Sequence, residues 1–427
     1  MQILDKTKKL FNVEKGNIKR TLLKTILAVP FWITVAALFL IVFGISRALF
    51  LTSSRPDQYV AENWQSNSET SFRHMSVYAG GVRTSGDTSP MTCMEGGRSI
   101  RLADIALIRA SLQSASSAGT SASVKNVPAS DGKLRGWEDC YSSTVKGTLE
   151  AVDIRDGKEE VIAGKADAQI VAVGGNYKAF HPFRYMAGGF LPETPVDTYQ
   201  IVINDVLAWK FYHSYDVVGN RININGQSFT IIGVVEEKST KTAELAGEQD
   251  NRAFIYFGAL GTVFGSKASA ENTDAGAGAL PAAPAEAPSD YAIQCYEALL
   301  PELVKGVAVS DFKSALPSYS ITNPQVYVAD NTGRFGIVRV YDTFFPVGET
   351  AKTRAGYEFP YWETAAQMTE DRLFYDYTII GVGIILLLTG VAMIALKLRA
   401  RKTVVPEELE ASGVDEAGEE AQLLLEA

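Results

Sequence analysis

RININGQSFTIIGVVEE, residues 221–237, is the stretch that decides the fold class of this chain. Ile222 and Ile224 alternate with polar residues, Phe229, Ile231 and Gly233 alternate on the return, and Asn225-Gly226 stands between the two runs. Period-two alternation sends successive side chains to opposite faces of a strand. Asn-Gly supplies the two positive φ values that a two-residue type I′ turn needs. The spacing therefore predicts an antiparallel hairpin with an apolar face.

Working outward, Asn204–Tyr212 (NDVLAWKFY) reads as a short helix capped by Asn204 or Asp205, whose side-chain oxygens can accept the orphan amide hydrogens of a first turn. Leu102, Ile105, Ile108 and Leu112 fall near one face of a second helix, and residues 303–315 form a third. Strand-like runs lie at 72–79, 143–153, 160–163, 169–173, 252–257, 291–296 and 325–329. Residues 52–71 read as a polar spacer, and the Ser/Ala/Gly-rich Gln113–Ser123 as a loop. Residues 266–290 are an Ala/Pro/Gly low-complexity segment, too poor in large apolar groups to pack, and are expected to separate two lobes. Strands and helices do not alternate strictly enough for a doubly wound sheet, so the expected class is α+β.

Two runs at the ends differ in kind. Thr25–Ser46 has 22 residues without a charge and Tyr377–Leu396 has 20. About 20 apolar residues at ~1.5 Å rise cross a ~30 Å hydrocarbon core, so both are read as transmembrane helices. Residues 1–24 carry seven basic groups against two acidic ones, and Lys397, Arg399, Arg401 and Lys402 follow the second run. Basic residues gather on the cytoplasmic side of short flanks, which places both termini in the cytoplasm. The expected organisation is a basic flank (1–24), a first span (25–46), an extracytoplasmic domain (47–376), a second span (377–396) and a cytoplasmic tail (397–427) in a two-pass protein of the cell membrane. Phe359–Asp371 reads as an amphipathic helix leading into the second span.

The 427 residues carry 40 basic and 49 acidic side chains, a net charge of −9, which argues against nucleic acid as a partner. That charge divides into +5 on the N-terminal flank, −4 on the tail and −10 on the remainder. The chain has no GxxxxGK[ST], HExxH, GxSxG or CxxC, so its sequence offers no phosphate loop and no catalytic, cofactor or metal motif. His74, His181 and His213 are scattered without a carboxylate at zinc-ligand spacing, and each reads as a structural or surface histidine. No enzymatic activity is expected. An oxidising compartment permits one disulfide, and Cys93 and Cys140 are the cysteine pair closest in sequence, with Cys295 left over.

Residues 186–237 resemble a block of the MacB-type periplasmic core of ABC transporter permeases, the group that includes FtsX-like proteins. Gly188-Gly189-Phe190-Leu191 resembles its G-R-F-L/F turn, with Gly189 where arginine is usual. Val218-Gly219 with Ile222 and Ile224 resembles VGK-x-I-x-I, and Phe229–Val234, with Gly233, resembles Y-x-V-I-G-V. RTLLKTILAV (20–29), SIRLADIALIRASL (99–112) and RAFIYF (252–257) fit the order of the family's segments. In a complete permease of this type three spans follow the outer domain, so the resemblance implies a truncated, two-span form. It also implies a permease-like or accessory subunit that works with an ABC ATPase and a further permease subunit. Its outer domain would bind a peptide, lipoprotein or envelope protein. The alternative is a membrane-anchored binding or sensing protein that keeps the fold without transport.

Overall fold

The computed structural model describes residues 29–65, 70–94, 99–118, 127–128, 134–155, 158–236, 240–265, 291–322 and 324–423. The basic flank 1–24 and the low-complexity segment 266–290 lie outside them. The chain divides into two compact units: Thr52–Asp371, and a second made of the residues up to Leu51 together with those from Arg372 on.

The outer unit is built on a ten-stranded sheet. Its strands are β1 (Phe72–Tyr78), β2 (Glu138–Arg155), β3 (Lys158–Gly175), β4 (Arg184–Gly188), β5 (Gln200–Asn204), β6 (Arg221–Ile224), β7 (Gln227–Glu236), β8 (Arg252–Tyr256), β9 (Cys295–Pro301) and β10 (Tyr327–Asp330). Their spatial order is β10-β1-β9-β2-β3-β8-β5-β7-β4, with β6 pairing both β7 and β2. β9 follows the low-complexity segment in the chain yet lies between β1 and β2, which precede it. Most neighbours are antiparallel, but β8 runs parallel to β3 and β7 parallel to β5. The mixed sheet with helices on both faces is an α+β architecture.

Alternation along the strands sorts side chains onto two faces. One face buries Met75 and Val77 of β1 and Tyr296 and Ala298 of β9. It is covered by α3 (Leu102–Ala118), α5 (Asp205–Tyr212) and α6 (Val307–Ala315), through Ile105, Ile108, Leu112, Leu207, Phe211 and Phe312. The other face buries Phe72, Tyr78, Cys140, Cys295 and Leu299 under α2 (Val60–Gln65), α4 (Tyr177–Phe180) and the start of α7 (Tyr361–Leu423). Each large apolar side chain so enclosed contributes about 1.5–3 kcal/mol.

The expected hairpin forms as β6–β7. Asn225 and Gly226 have φ of 51° and 87°, and Ile224 pairs with Gln227. The Asn204 side chain caps α5 by accepting from Leu207 N at 3.0 Å. Three local expectations change. The runs 160–163 and 169–173 belong to one long strand, β3. The serines and alanines after Leu112 do not break α3, which continues to Ala118. The spacer contains a helical turn pair, α2, whose Val60 and Ala61 are buried against the sheet.

The other unit holds most of α1 (Val29–Ser53) and the part of α7 from Arg372 on; α1 and the stretch Tyr361–Lys397 of α7 are each long and apolar enough to cross a membrane. Within that unit Gly383 faces Ile41, where an added Cβ would lie 2.8 Å from Cγ1, and Gly390 faces Thr34. Small residues at these crossings let two helix backbones approach closely. Arg47 and Asp376 form an ion pair at 3.2 Å in the same unit.

Candidate functional site

The motif glycines are positioned for backbone reasons. Gly188 at the end of β4 pairs with Gly233 of β7, and its φ is +63°. A Cβ on Gly188 would lie 2.1 Å from Ile232 O, and one on Gly233 would lie 2.0 Å from Gly189 O. The strands meet backbone to backbone, so neither position accepts a side chain. A Cβ on Gly189 meets nothing within 4 Å, which explains why a residue with a side chain is compatible there. Gly219 N donates to Ile231 O at 2.8 Å, closing the loop that leads into β6. Phe190 stacks on Phe183 (5.2 Å) and Tyr177 (5.8 Å) and meets Phe254 edge-on.

That aromatic group surrounds a polar centre in the sheet. Glu297 of β9 stands directly opposite Ser76 of β1 and Cys140 of β2. His74, two residues along β1 from Ser76, shares their face. The fifth member, His181, follows α4 and stacks on Tyr177 at 4.3 Å and against Trp362 at 4.7 Å. All five side chains are buried. His74 Nε2 and Ser76 Oγ lie 3.0 and 3.1 Å from Glu297 Oε1. His181 Nε2 lies 2.6 Å from Oε2, and Cys140 Sγ donates to the same oxygen at 3.7 Å. Asn331 Nδ2 donates to Ser76 Oγ at 2.7 Å.

A buried carboxylate without partners is costly. Burial alone would raise the Glu297 pKa, but the charge and hydrogen bonds of His181, joined by those of His74, outweigh it and hold the carboxyl well below its usual range. Burial, reinforced by the Glu297 charge, pushes the Cys140 thiol well up. A cavity of about 410 Å³ borders this centre at His181 and is lined also by Asp57, Arg184, Glu236, Glu248 and Trp362 among others.

A second polar group fixes the first turns of α7 to the sheet. Arg334 grips Glu363 through Nη1 (2.6 Å) and Nη2 (2.7 Å) and reaches Glu370 through Nε at 2.5 Å. Tyr78 Oη donates to Glu363 at 2.9 Å, and Arg354 Nη2 donates to Glu370 at 3.0 Å. The bidentate fork is the strong form of such pairs. Arg55, fully enclosed, pairs with Glu248 in the same unit.

The Cys93–Cys140 bridge expected from sequence proximity is corrected. It is not formed among the described residues, because β2 turns Cys140 into the core, where its Sγ meets Glu297. Cys295 is likewise a buried thiol on the same face. In the sequence His74 and His181 stand far apart. Their common partner is distant in the chain, and the only local trace is the parity of His74, Ser76 and Tyr78 on one strand face.

The fold and its centre thus define an α+β outer domain, flanked in the chain by two helices apolar enough for a membrane. A family model described as the MacB-like periplasmic core domain matches residues 35–283, more than half of the chain. The chain belongs to that family, the periplasmic domain of ABC-type transporter permeases, and it has the character of a membrane-anchored protein with an extracytoplasmic domain. Among solved structures it is similar to the periplasmic region of MacB from Actinobacillus actinomycetemcomitans, at 12% identity over 61% of this chain and 89% of that one, with a TM-score of 0.33. It is also similar to the extracellular domain of the noncanonic ABC-type transporter YknZ from Gram-positive bacteria, at 12% identity over 60% and 99%, with a TM-score of 0.34. No curated protein matches the chain. At these identities and TM-scores, the family assignment rests on the sequence match.

Proposed function

We propose that this chain is a permease-like or accessory membrane subunit of an ABC system of the MacB/FtsX type, and that it is not itself an enzyme. It passes ATPase-driven movement of partner subunits to its extracytoplasmic domain by mechanotransmission and forms no conduit of its own. Both termini face the cytoplasm in this reading, following the basic flanks of the two spans. The partners are an ABC ATPase subunit, a further permease subunit, and a peptide, lipoprotein or envelope protein met by the outer domain.

The observation that carries the proposal is the construction of α7. It is one uninterrupted helix from Tyr361 to Leu423. Its first turns are clamped in the outer unit by Arg334 through Glu363 and Glu370, and its apolar part lies further along the same helix. A continuous helix with a fixed end is suited to carry a displacement. Affinity purification of the tagged chain from its native membrane tests the reading. Recovery of an ABC ATPase is the expected result, and recovery of neither an ATPase nor another permease overturns it.

A further inference from the structure

We propose that Cys140, His181 and Glu297 form a binding site for a zinc-type divalent transition-metal ion, beside a cavity that His181 lines. The inference stands on the outer unit alone and does not depend on the transport reading.

The donor set is mixed: one thiol sulfur, one imidazole nitrogen and one carboxylate oxygen, all buried and all within 4.8 Å of one another. Cys140 Sγ and Glu297 Oε2 are 3.7 Å apart, close to the ~3.5 Å that tetrahedral bonds to sulfur and oxygen of ~2.3 and ~2.0 Å impose. His181 Nε2 and Oε2 are 2.6 Å apart, held by a hydrogen bond. A bound ion replaces that hydrogen bond and opens the pair toward ~3.3 Å, the ligand separation for two bonds of ~2.0 Å. Sulfur with nitrogen and oxygen suits zinc or cobalt better than calcium or magnesium, which take oxygen alone.

The carboxylate is also oriented for this task. Its other oxygen, Oε1, is taken by His74 Nε2 and Ser76 Oγ, and Ser76 is in turn held by Asn331. Oε2 is thereby left facing His181 and Cys140. Such outer partners are what fix a metal ligand in place. Of the three donors, His181 lines the neighbouring cavity, so the approach of an ion is from the His181 side. On binding, the S–H bond of Cys140 breaks and a sulfur–metal bond forms. That proton, and any proton shared between His181 and Glu297, leaves through the cavity to solvent.

The test uses the full chain in detergent, stripped with a chelator and titrated with Co²⁺ alone. The expected result is one equivalent bound, with visible d–d bands of a tetrahedral ion and a thiolate-to-cobalt charge-transfer band, both bleached by Zn²⁺. Cys140→Ser abolishes the charge-transfer band, whereas Cys93→Ser and Cys295→Ser retain it. His181→Ala weakens binding at least tenfold. His74→Ala lowers affinity by about 10- to 100-fold while keeping the band, as loss of an outer partner does. Circular dichroism of each chelated variant establishes that it is folded. Absence of a charge-transfer band in the folded wild type, or its persistence in folded Cys140→Ser, overturns the proposal.

Discussion

Replacing Arg334 with methionine removes the one side chain, among the described residues, that bonds both Glu363 and Glu370 of α7. The substitution deletes two hydrogen bonds to Glu363 and one to Glu370, in a place where the three side chains are 6%, 0% and 4% exposed. Glu370 keeps Arg354, but Glu363 retains only the neutral donors Tyr78 and Gln367. An anion left buried without its cation costs about 3–5 kcal/mol. At about 2 °C per kcal/mol for a domain of this size, the melting temperature falls by roughly 6–10 °C. Near-ultraviolet circular dichroism on the full chain in detergent reads the transition, since Trp362 lies in the core beside these residues. The double variant with Glu363→Gln removes the stranded charge and recovers about 0.5–3 kcal/mol of the loss. A single variant within about 0.5 kcal/mol of wild type, the range of an ordinary surface change, refutes the reasoning, and so does a double variant no better than the single one.

Other expectations follow from the same structure. Gly233→Ala puts a Cβ 2.0 Å from Gly189 O, so the β4–β7 pairing is lost and the melting temperature drops sharply, whereas Gly189→Ala, with open space around it, leaves it nearly unchanged. Cys140 and Cys295 are buried thiols with raised pKa values, so a maleimide reagent labels both only after denaturant is added. Burial raises the Glu363 pKa, but Arg334 outweighs it and holds the value below 4.5. A depressed carboxylate stabilises the fold above its unfolded pKa and loses that contribution as pH falls through the folded value. Denaturant titrations below pH 4.5 therefore show a falling midpoint, and Glu363→Gln lessens the slope.

What the sequence disclosed is what short-range physics decides. The β6–β7 hairpin follows from Asn225-Gly226 and the alternation around it, and α5 from its Asn204 cap. These devices act within a few residues, so they are visible in a linear string. The family block adds Gly188 and Gly233, whose need for glycine becomes intelligible only once β4 and β7 are paired. The centre at Glu297 was not legible. His74 is 223 residues away from Glu297 in the chain and His181 is 116 away; the register of β1, β9 and β2 brings His74, Cys140 and Glu297 to one face, and α4 sets His181 against it. The same distance hides the clamp, for Arg334 and Glu363 sit in separate elements with ordinary local sequence. Cys93 and Cys140 misled for the converse reason, since nearness in the chain says nothing about which side of a strand a thiol faces.

The central claim is that α7 carries movement between the membrane and the outer domain. It is tested by inserting two glycines between Asp371 and Arg372, where the outer unit ends and the helix continues. The two glycines weaken the helix by about 1 kcal/mol each and rotate everything after them by about 200°, so the clamped end and the apolar segment no longer keep their phase. The measurement is the change in protease sensitivity of the outer domain on adding ATP to the complex recovered from native membranes. The account predicts an ATP-dependent change in the wild type, and its loss in the insertion variant although the ATPase still co-purifies. An equal change in both proteins, or none in the wild-type complex, contradicts it.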